Sequence, residues 1–85
     1  MVVITVQLRF FAGAAEVAGR DQCSLELPEG ATVADVLATV GPNPELDRVL
    51  AISAVLVNGL NVTDRQTPLP IGGVQVDVLP PFAGG

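Results

Sequence analysis

The stretch VVITVQLRF, residues 2–10, puts apolar side chains at Val2, Ile4, Val6, Leu8 and Phe10 and polar ones at Thr5, Gln7 and Arg9. A repeat of two belongs to a strand with one buried and one wet face. The same alternation returns in CSLEL, residues 23–27, where Cys23, Leu25 and Leu27 oppose Ser24 and Glu26. It returns again in VQVDVL, residues 74–79, where Val74, Val76 and Val78 oppose Gln75 and Asp77. AVLVNGLNVT, residues 54–63, reads as two further strands around Asn58-Gly59, a dipeptide suited to the positive φ values of a tight hairpin.

Between these runs the apolar period changes. AGAAEVAG, residues 12–19, is rich in alanine, long enough for two helical turns, and closed by Gly19 as a C-terminal cap. PEG, residues 28–30, is a turn. In ATVADVLATVG, residues 31–41, Val33, Val36, Leu37 and Val40 fall on one side of a helix. Thr32 is placed to cap it, Asp35 to favour its dipole and Gly41 to end it. NPELDRVL, residues 43–50, predicts a short second helix with Asn43 as cap and Pro44 at its first position. The order is strand, short helix, strand, helix, short helix, hairpin, strand. A mixed sheet of about five strands, with its main helix packed on one face, is an α+β roll of the β-grasp kind. Residues 1–79 form that domain and residues 80–85 an extended tail leaving the last strand.

The totals narrow the function. Eighty-five residues support one modest core, and 49% hydrophobic residues exclude a disordered chain. The net charge is −5, with four arginines and no lysine, so the basic stripe that neutralises phosphates is missing and nucleic acid is not an expected partner. AISAVLV, the longest apolar run, is far short of a membrane span. MVVITVQLRF lacks the charged leader of a secretory signal, and the single Cys23 cannot form an internal disulfide, so a cytoplasmic location is expected.

With no histidine, imidazole acid/base chemistry and histidine-bound metal are excluded, and one cysteine excludes a thiolate zinc site. No metal centre is expected. Cys23 shares the apolar face of its strand with Leu25 and Leu27, which favours a buried structural thiol over a nucleophile. The nine acidic residues are scattered, as on a solvated surface. Gly72-Gly73 lacks the lysine of a phosphate loop and reads as a turn into the last strand.

What remains is LPPFAGG, residues 79–85. Its distinctive group is the α-carboxylate of Gly85. Adenylation by ATP converts such a carboxylate, a poor electrophile, into a mixed anhydride open to sulfur or nitrogen nucleophiles. Glycine has no side chain to collide with a narrow channel, and Pro80-Pro81 stiffen the root in an extended form.

FFAGAAEVAG at 10–19, ATVADVL at 31–37, VNG at 57–59 and above all VDVLPPFAGG at 76–85 resemble the MoaD family, the small subunits of molybdopterin synthase. The terminal PPFAGG is the specific part; the rest is shared with other ubiquitin-like sulfur carriers such as ThiS. The resemblance implies a β-grasp fold and a Gly85 carboxylate that a MoeB-type, E1-like enzyme adenylates with ATP. A sulfur donor then converts the acyl-adenylate to a thiocarboxylate. By the same resemblance, sulfur passes to cyclic pyranopterin monophosphate inside the large subunit, MoaE, to build the dithiolene of the molybdenum cofactor. The acid/base residues belong to MoaE, and the chain binds no cofactor and is no enzyme by itself. Gly84 and Gly85 would enter the active sites, and Leu79, Pro80, Pro81, Phe82 and Ala83 would contact the partners, with Phe82 as an aromatic anchor. Leu79 is equally open to a contact with its own domain. Many relatives carry an arginine where this chain has Ala15 and an acidic residue where it has Val74. The same activated carboxylate serves a ubiquitin-like protein modifier, and a carrier for thiamine or cysteine synthesis is a further alternative.

Overall fold

The computed structural model describes residues 2–40 and 43–81. Along the chain lie β1 (Val3–Phe10), α1 (Gly13–Ala18), β2 (Gln22–Pro28), α2 (Val33–Ala38), α3 (Pro44–Ile52), β3 (Ala54–Val57), β4 (Leu60–Asn61) and β5 (Gly73–Leu79). The strands make one mixed sheet in the order β2-β1-β5-β3-β4. β1 and β5 run parallel at its centre, whereas β2 pairs antiparallel with β1 and β3 with β5. A parallel pair cannot be joined by a tight turn; here the whole helical layer lies in the connection, so the first and last strands clasp the helices between them. This is the β-grasp roll.

Alternation decides which side chains meet that layer. Ile4, Val6 and Leu8 of β1, Val76 and Val78 of β5, and Val33 and Val36 of α2 are inaccessible to solvent. Leu8 is the centre of the register, opposite Cys23 on one side and Val76 on the other.

Local chemistry sets the helix ends. Gly19 takes the left-handed conformation and returns its N–H to the Ala15 carbonyl, closing α1. At α2, Thr32 Oγ1 accepts from the Asp35 N–H at 3.3 Å, and the Asp35 carboxylate accepts from the Thr32 N–H at 2.8 Å, a complete capping box. Asn43 Oδ1 accepts from both the Glu45 and Leu46 N–H groups, and Pro44 opens α3.

The two helices exchange the roles the spacing predicts. α2 stops at Ala38, because the Thr39 hydroxyl donates to the Val36 carbonyl at 2.6 Å and diverts it from a further turn. Val40 is thus outside the helix, and Gly41 is outside the described residues. α3 runs nine residues and is the longer of the two. Arg65, in the loop before β5, extends it by donating to the Ser53 carbonyl and to the Leu50 carbonyl, which also accepts from the Ser53 N–H at 3.3 Å. That loop also serves α2: the Thr67 and Arg65 carbonyls accept from the Val33 and Ala34 N–H groups, and Leu69 is buried.

The hairpin forms as the dipeptide dictates, with Asn58 at φ 49 and Gly59 at φ 83 joining Val57 to Leu60. One expectation is corrected. Cys23 is half-buried, not buried, as are Leu25 and Leu27, because β2 is a margin of the sheet and the helices cover it incompletely.

Candidate functional site: the root of the tail

β5 carries the candidate site because it delivers the chain's last residues. It is held on both sides up to the exit. Ala54 faces Leu79 at the end of the β3 ladder, and beyond β1 the Phe11 N–H donates to the Val78 carbonyl at 3.1 Å. Residues 80 and 81 therefore leave from a strand paired on both sides.

Beyond that point Leu79 is half-buried, Pro80 buried and Pro81 exposed. Leu79 and Pro81 line a shallow hollow with Ile52, Ala54, Val62 and Arg65. Ile52 is 57% exposed beside it, an unusual place for an isoleucine. Phe82, Ala83, Gly84 and Gly85, on which the expected anchor and chemistry fall, lie outside the described residues.

On the open face of the sheet, next to this exit, sequence reasoning missed an ion pair. Arg9 of β1 and Asp77 of β5 are directly opposite. The guanidinium donates from Nε at 2.8 Å and from Nη2 at 3.0 Å to the two carboxylate oxygens, a bidentate fork. The Asp77 side chain is 8% exposed and that of Arg9 41%, so the arginine lies over the carboxylate like a cover. Gln75 Nε2 adds a longer bond at 3.4 Å. Hydrogen bonding from Arg9 holds the Asp77 carboxyl below its ordinary range against the opposing effect of burial. The fork uses the N–H edge of the guanidinium, and its Cζ lies over the Phe11 ring, 5.3 Å from the centroid. Arg9 and Asp77 sit at polar positions of alternating strands, and only the parallel pairing of the first and last strands brings them together.

Of the residues singled out in the sequence, the fold brings together Leu79, Pro80 and Pro81. Cys23 lies two strands from β5, at a small cavity with Arg20, Leu25, Val40 and Asn43. Ala15 is half-buried on α1, and Val74 belongs to the core. Among the described residues no group of histidine, cysteine, aspartate and glutamate could hold a metal ion, and no helix is long and apolar enough to cross a membrane.

Relatives share this fold. The molybdopterin synthase sulfur carrier subunit of Chlamydomonas reinhardtii is 31% identical over 81 residues, which is 94% of this chain and 98% of that protein. The crystal structure of SAMP1, a small archaeal modifier protein of Haloferax volcanii, superposes with a TM-score of 0.78 at 31% identity, covering 95% of this chain and 99% of that one. A putative molybdopterin converting factor subunit 1 from Pyrococcus furiosus gives a TM-score of 0.77 at 29% identity, over 92% and 98%. Residues 8–85, from the middle of β1 through the last glycine, match the ThiS family. The chain therefore belongs to the ThiS family of β-grasp sulfur carriers, within which its likeness is to the MoaD type.

Proposed function

We propose that this chain is the sulfur-donating small subunit of a molybdopterin synthase, and that its working group is the carboxylate of Gly85. The observation that carries this reading is the family match running through the terminal Gly84-Gly85 pair, on a tail rooted in the central strand. The sulfur-carrier name of the 31% identical relative supports the same pathway.

The chemistry follows from what a carboxylate lacks. A carboxylate oxygen attacks the α-phosphorus of ATP on an activating enzyme, pyrophosphate leaves, and an acyl-adenylate forms. A sulfur nucleophile attacks the carbonyl carbon and AMP departs. The resulting thiocarboxylate is ionised at neutral pH and is a good nucleophile while still tethered. Its sulfur bonds to a carbon of the pterin precursor inside a large subunit, which supplies the acid/base groups, and water then cleaves the acyl–sulfur bond and returns the Gly85 carboxylate. This domain's task is presentation: a rigid β5, a proline-stiffened root, and a final pair without side chains to obstruct a narrow channel. Phe82 and Leu79 anchor the tail in its partners, and the exposed Ile52 and the Arg9–Phe11 stack extend that contact surface.

A second reading has its own support. The likeness to small archaeal modifier protein 1 favours attachment of Gly85 to lysines of target proteins through the same acyl-adenylate. Having no lysine, the chain cannot form lysine-linked polymers of itself.

The test is intact mass. Incubation with a MoeB-type enzyme, ATP and a sulfur donor adds about 16 Da as sulfur replaces oxygen, and deletion of Gly85 abolishes the gain without unfolding the domain. No mass change under conditions that convert a known carrier refutes the reading. Conjugates surviving denaturation, without dithiolene formation alongside a large subunit, select the modifier instead.

A further inference from the structure

The two margins of the sheet are unlike. β4 is two residues long and offers little edge, whereas β2 runs for seven. Edge strands with free N–H and C=O groups are templates for another strand, and proteins blunt them with proline, lysine, bulges or short length. Between Gln22 and Leu27 there is no proline and no lysine, and the pairing with β1 is unbroken; Pro28 stands only at the end.

Two backbone bonds fix which groups of β2 are free. The Phe10 N–H donates to the Asp21 carbonyl, and the Glu29 N–H donates to the Val2 carbonyl, both in the register of the ladder. Hydrogen-bonded pairs alternate in an antiparallel ladder, so Asp21, Cys23, Leu25, Leu27 and Glu29 turn inward to β1. Gln22, Ser24 and Glu26 turn their amides and carbonyls outward. On the core side of the same edge, Cys23, Leu25 and Leu27 form a half-covered apolar strip.

This edge is complementary to itself. We propose that it is the site where a second copy of the chain binds, antiparallel, about a twofold axis at Ser24. This alignment pairs all three outward residues: Ser24 with Ser24 of the other copy, and Gln22 with Glu26 in both directions. Two bonds per pair give about six backbone hydrogen bonds. A shift one way engages fewer outward pairs, the other way meets Pro28, which has no N–H, and centring on Glu26 sets like charges face to face. In the proposed alignment an amide meets a carboxylate on the open face, and on the core side Cys23 meets Leu25 of the other copy in both directions, so these two residues of each apolar strip are covered while Leu27 lies opposite Asp21. Arg20 of each copy comes beside Pro28-Glu29 of the other, opposite charges at both ends. The contact joins two five-stranded sheets and leaves β5, two strands away, unobstructed.

A single strand pair is smaller than a standard interface of ~1,600 Å², so the association is weak and visible between about 10 µM and 1 mM. Sedimentation equilibrium of the full chain reads it as a rise above the 8.7 kDa monomer mass. Gln22→Glu sets two like-charged pairs across the axis and weakens the dimer about fivefold, while Gln22→Lys tightens it to a similar degree. Gln22 and its partner position Glu26 are exposed in the monomer. Leu25→Cys places a thiol opposite Cys23 of the other copy, where paired Cα atoms lie about 4.5 Å apart, within disulfide range. Mild oxidation then yields a covalent dimer that reductant dissolves. A mass that stays monomeric to about 1 mM overturns the proposal. So does a dimer that ignores the charge at position 22 and gives no cross-link, since it uses another surface.

Discussion

β2 and β5 have the same length and nearly the same alternation of apolar and polar residues, yet they end in opposite environments. In β5, Val74, Val76 and Val78 are buried, and so is Asp77 on the opposite face. In β2 no residue is fully buried, and the three core-facing residues are all half-covered. Period two tells which way a side chain points; it does not tell how deep the strand lies. Depth comes from neighbours. β5 has a strand on each side and helices over one face, while β2 has one strand and the margin of the helical layer. The division suits a carrier: the strand that delivers the tail is paired on both sides, and the strand far from the tail has one edge open.

The sharpest way to break this contrast is to truncate one leucine in each setting. Leu8, inaccessible and flanked by Cys23 and Val76, leaves a closed cavity when replaced. Leu8→Ala is expected to lower unfolding stability by about 3–4 kcal/mol. Leu25 on β2 is half-exposed already, and Leu25→Ala should cost about 1–2 kcal/mol because solvent fills the space. Urea unfolding of both variants at low concentration, where the chain is monomeric, compares them directly. Leu8 lies on β1, the neighbour that β2 and β5 share, so equal losses mean that the helical layer covers the margin of the sheet as well as its centre.

Next in size is the buried carboxylate that separates the open faces of the two strands. Asp77→Asn retains the volume but removes the charge that receives the Arg9 fork. Because Arg9 is 41% exposed and can turn to water, the loss at neutral pH is about 1–2 kcal/mol and not the larger cost of an orphaned buried charge. Its pH dependence has a definite sign. The Asp77 carboxyl is held below its unfolded value, so its contribution is complete above the ordinary carboxylate range near about pH 4 and is lost as pH falls through the lower folded value. The stability gap between wild type and variant therefore stays constant from pH 7 to about pH 5 and closes below about pH 4. Thermal melts of both proteins across that range measure the gap; one that widens in acid contradicts the assignment.

Much of this was legible in the residues. The alternating runs and Asn58-Gly59 place every strand, and Gly19, Thr32, Asn43 and Pro44 mark helix ends through backbone and side-chain chemistry that acts within four residues. What was not legible depends on partners distant in sequence. The half-burial of Cys23 follows from strand order, and the extension of α3 past Leu50 from the reach of Arg65 across fifteen positions. The Arg9–Asp77 fork spans sixty-eight positions. Leu69 sits in a stretch whose prolines and glycines read as loop, and only its position under α2 makes it core. The tail stands apart: PPFAGG is legible only by its resemblance to a family, since two glycines carry no pattern from which periodicity can be argued.

The smallest expected effect lies where β1 breaks away from β5. Ala12 adopts φ 51, ψ −128, a conformation that suits glycine and strains a residue with a Cβ. The Phe11 N–H to the Val78 carbonyl holds it from one side. On the other, its own carbonyl accepts from the Ala15 and Glu16 N–H groups at 3.0 and 3.2 Å. A backbone so constrained at the sheet centre keeps its shape when the side chain is removed. Ala12→Gly relieves strain of about 1.5–2 kcal/mol and adds about 1 kcal/mol of unfolded-chain entropy, so a net gain of about 0.5–1 kcal/mol is expected. A raised melting temperature, with amide exchange unchanged at Phe11 and Ala15, bears this out. A lowered one, with faster exchange at those two amides, means that the turn is shaped by the alanine and not by the strands on either side of it.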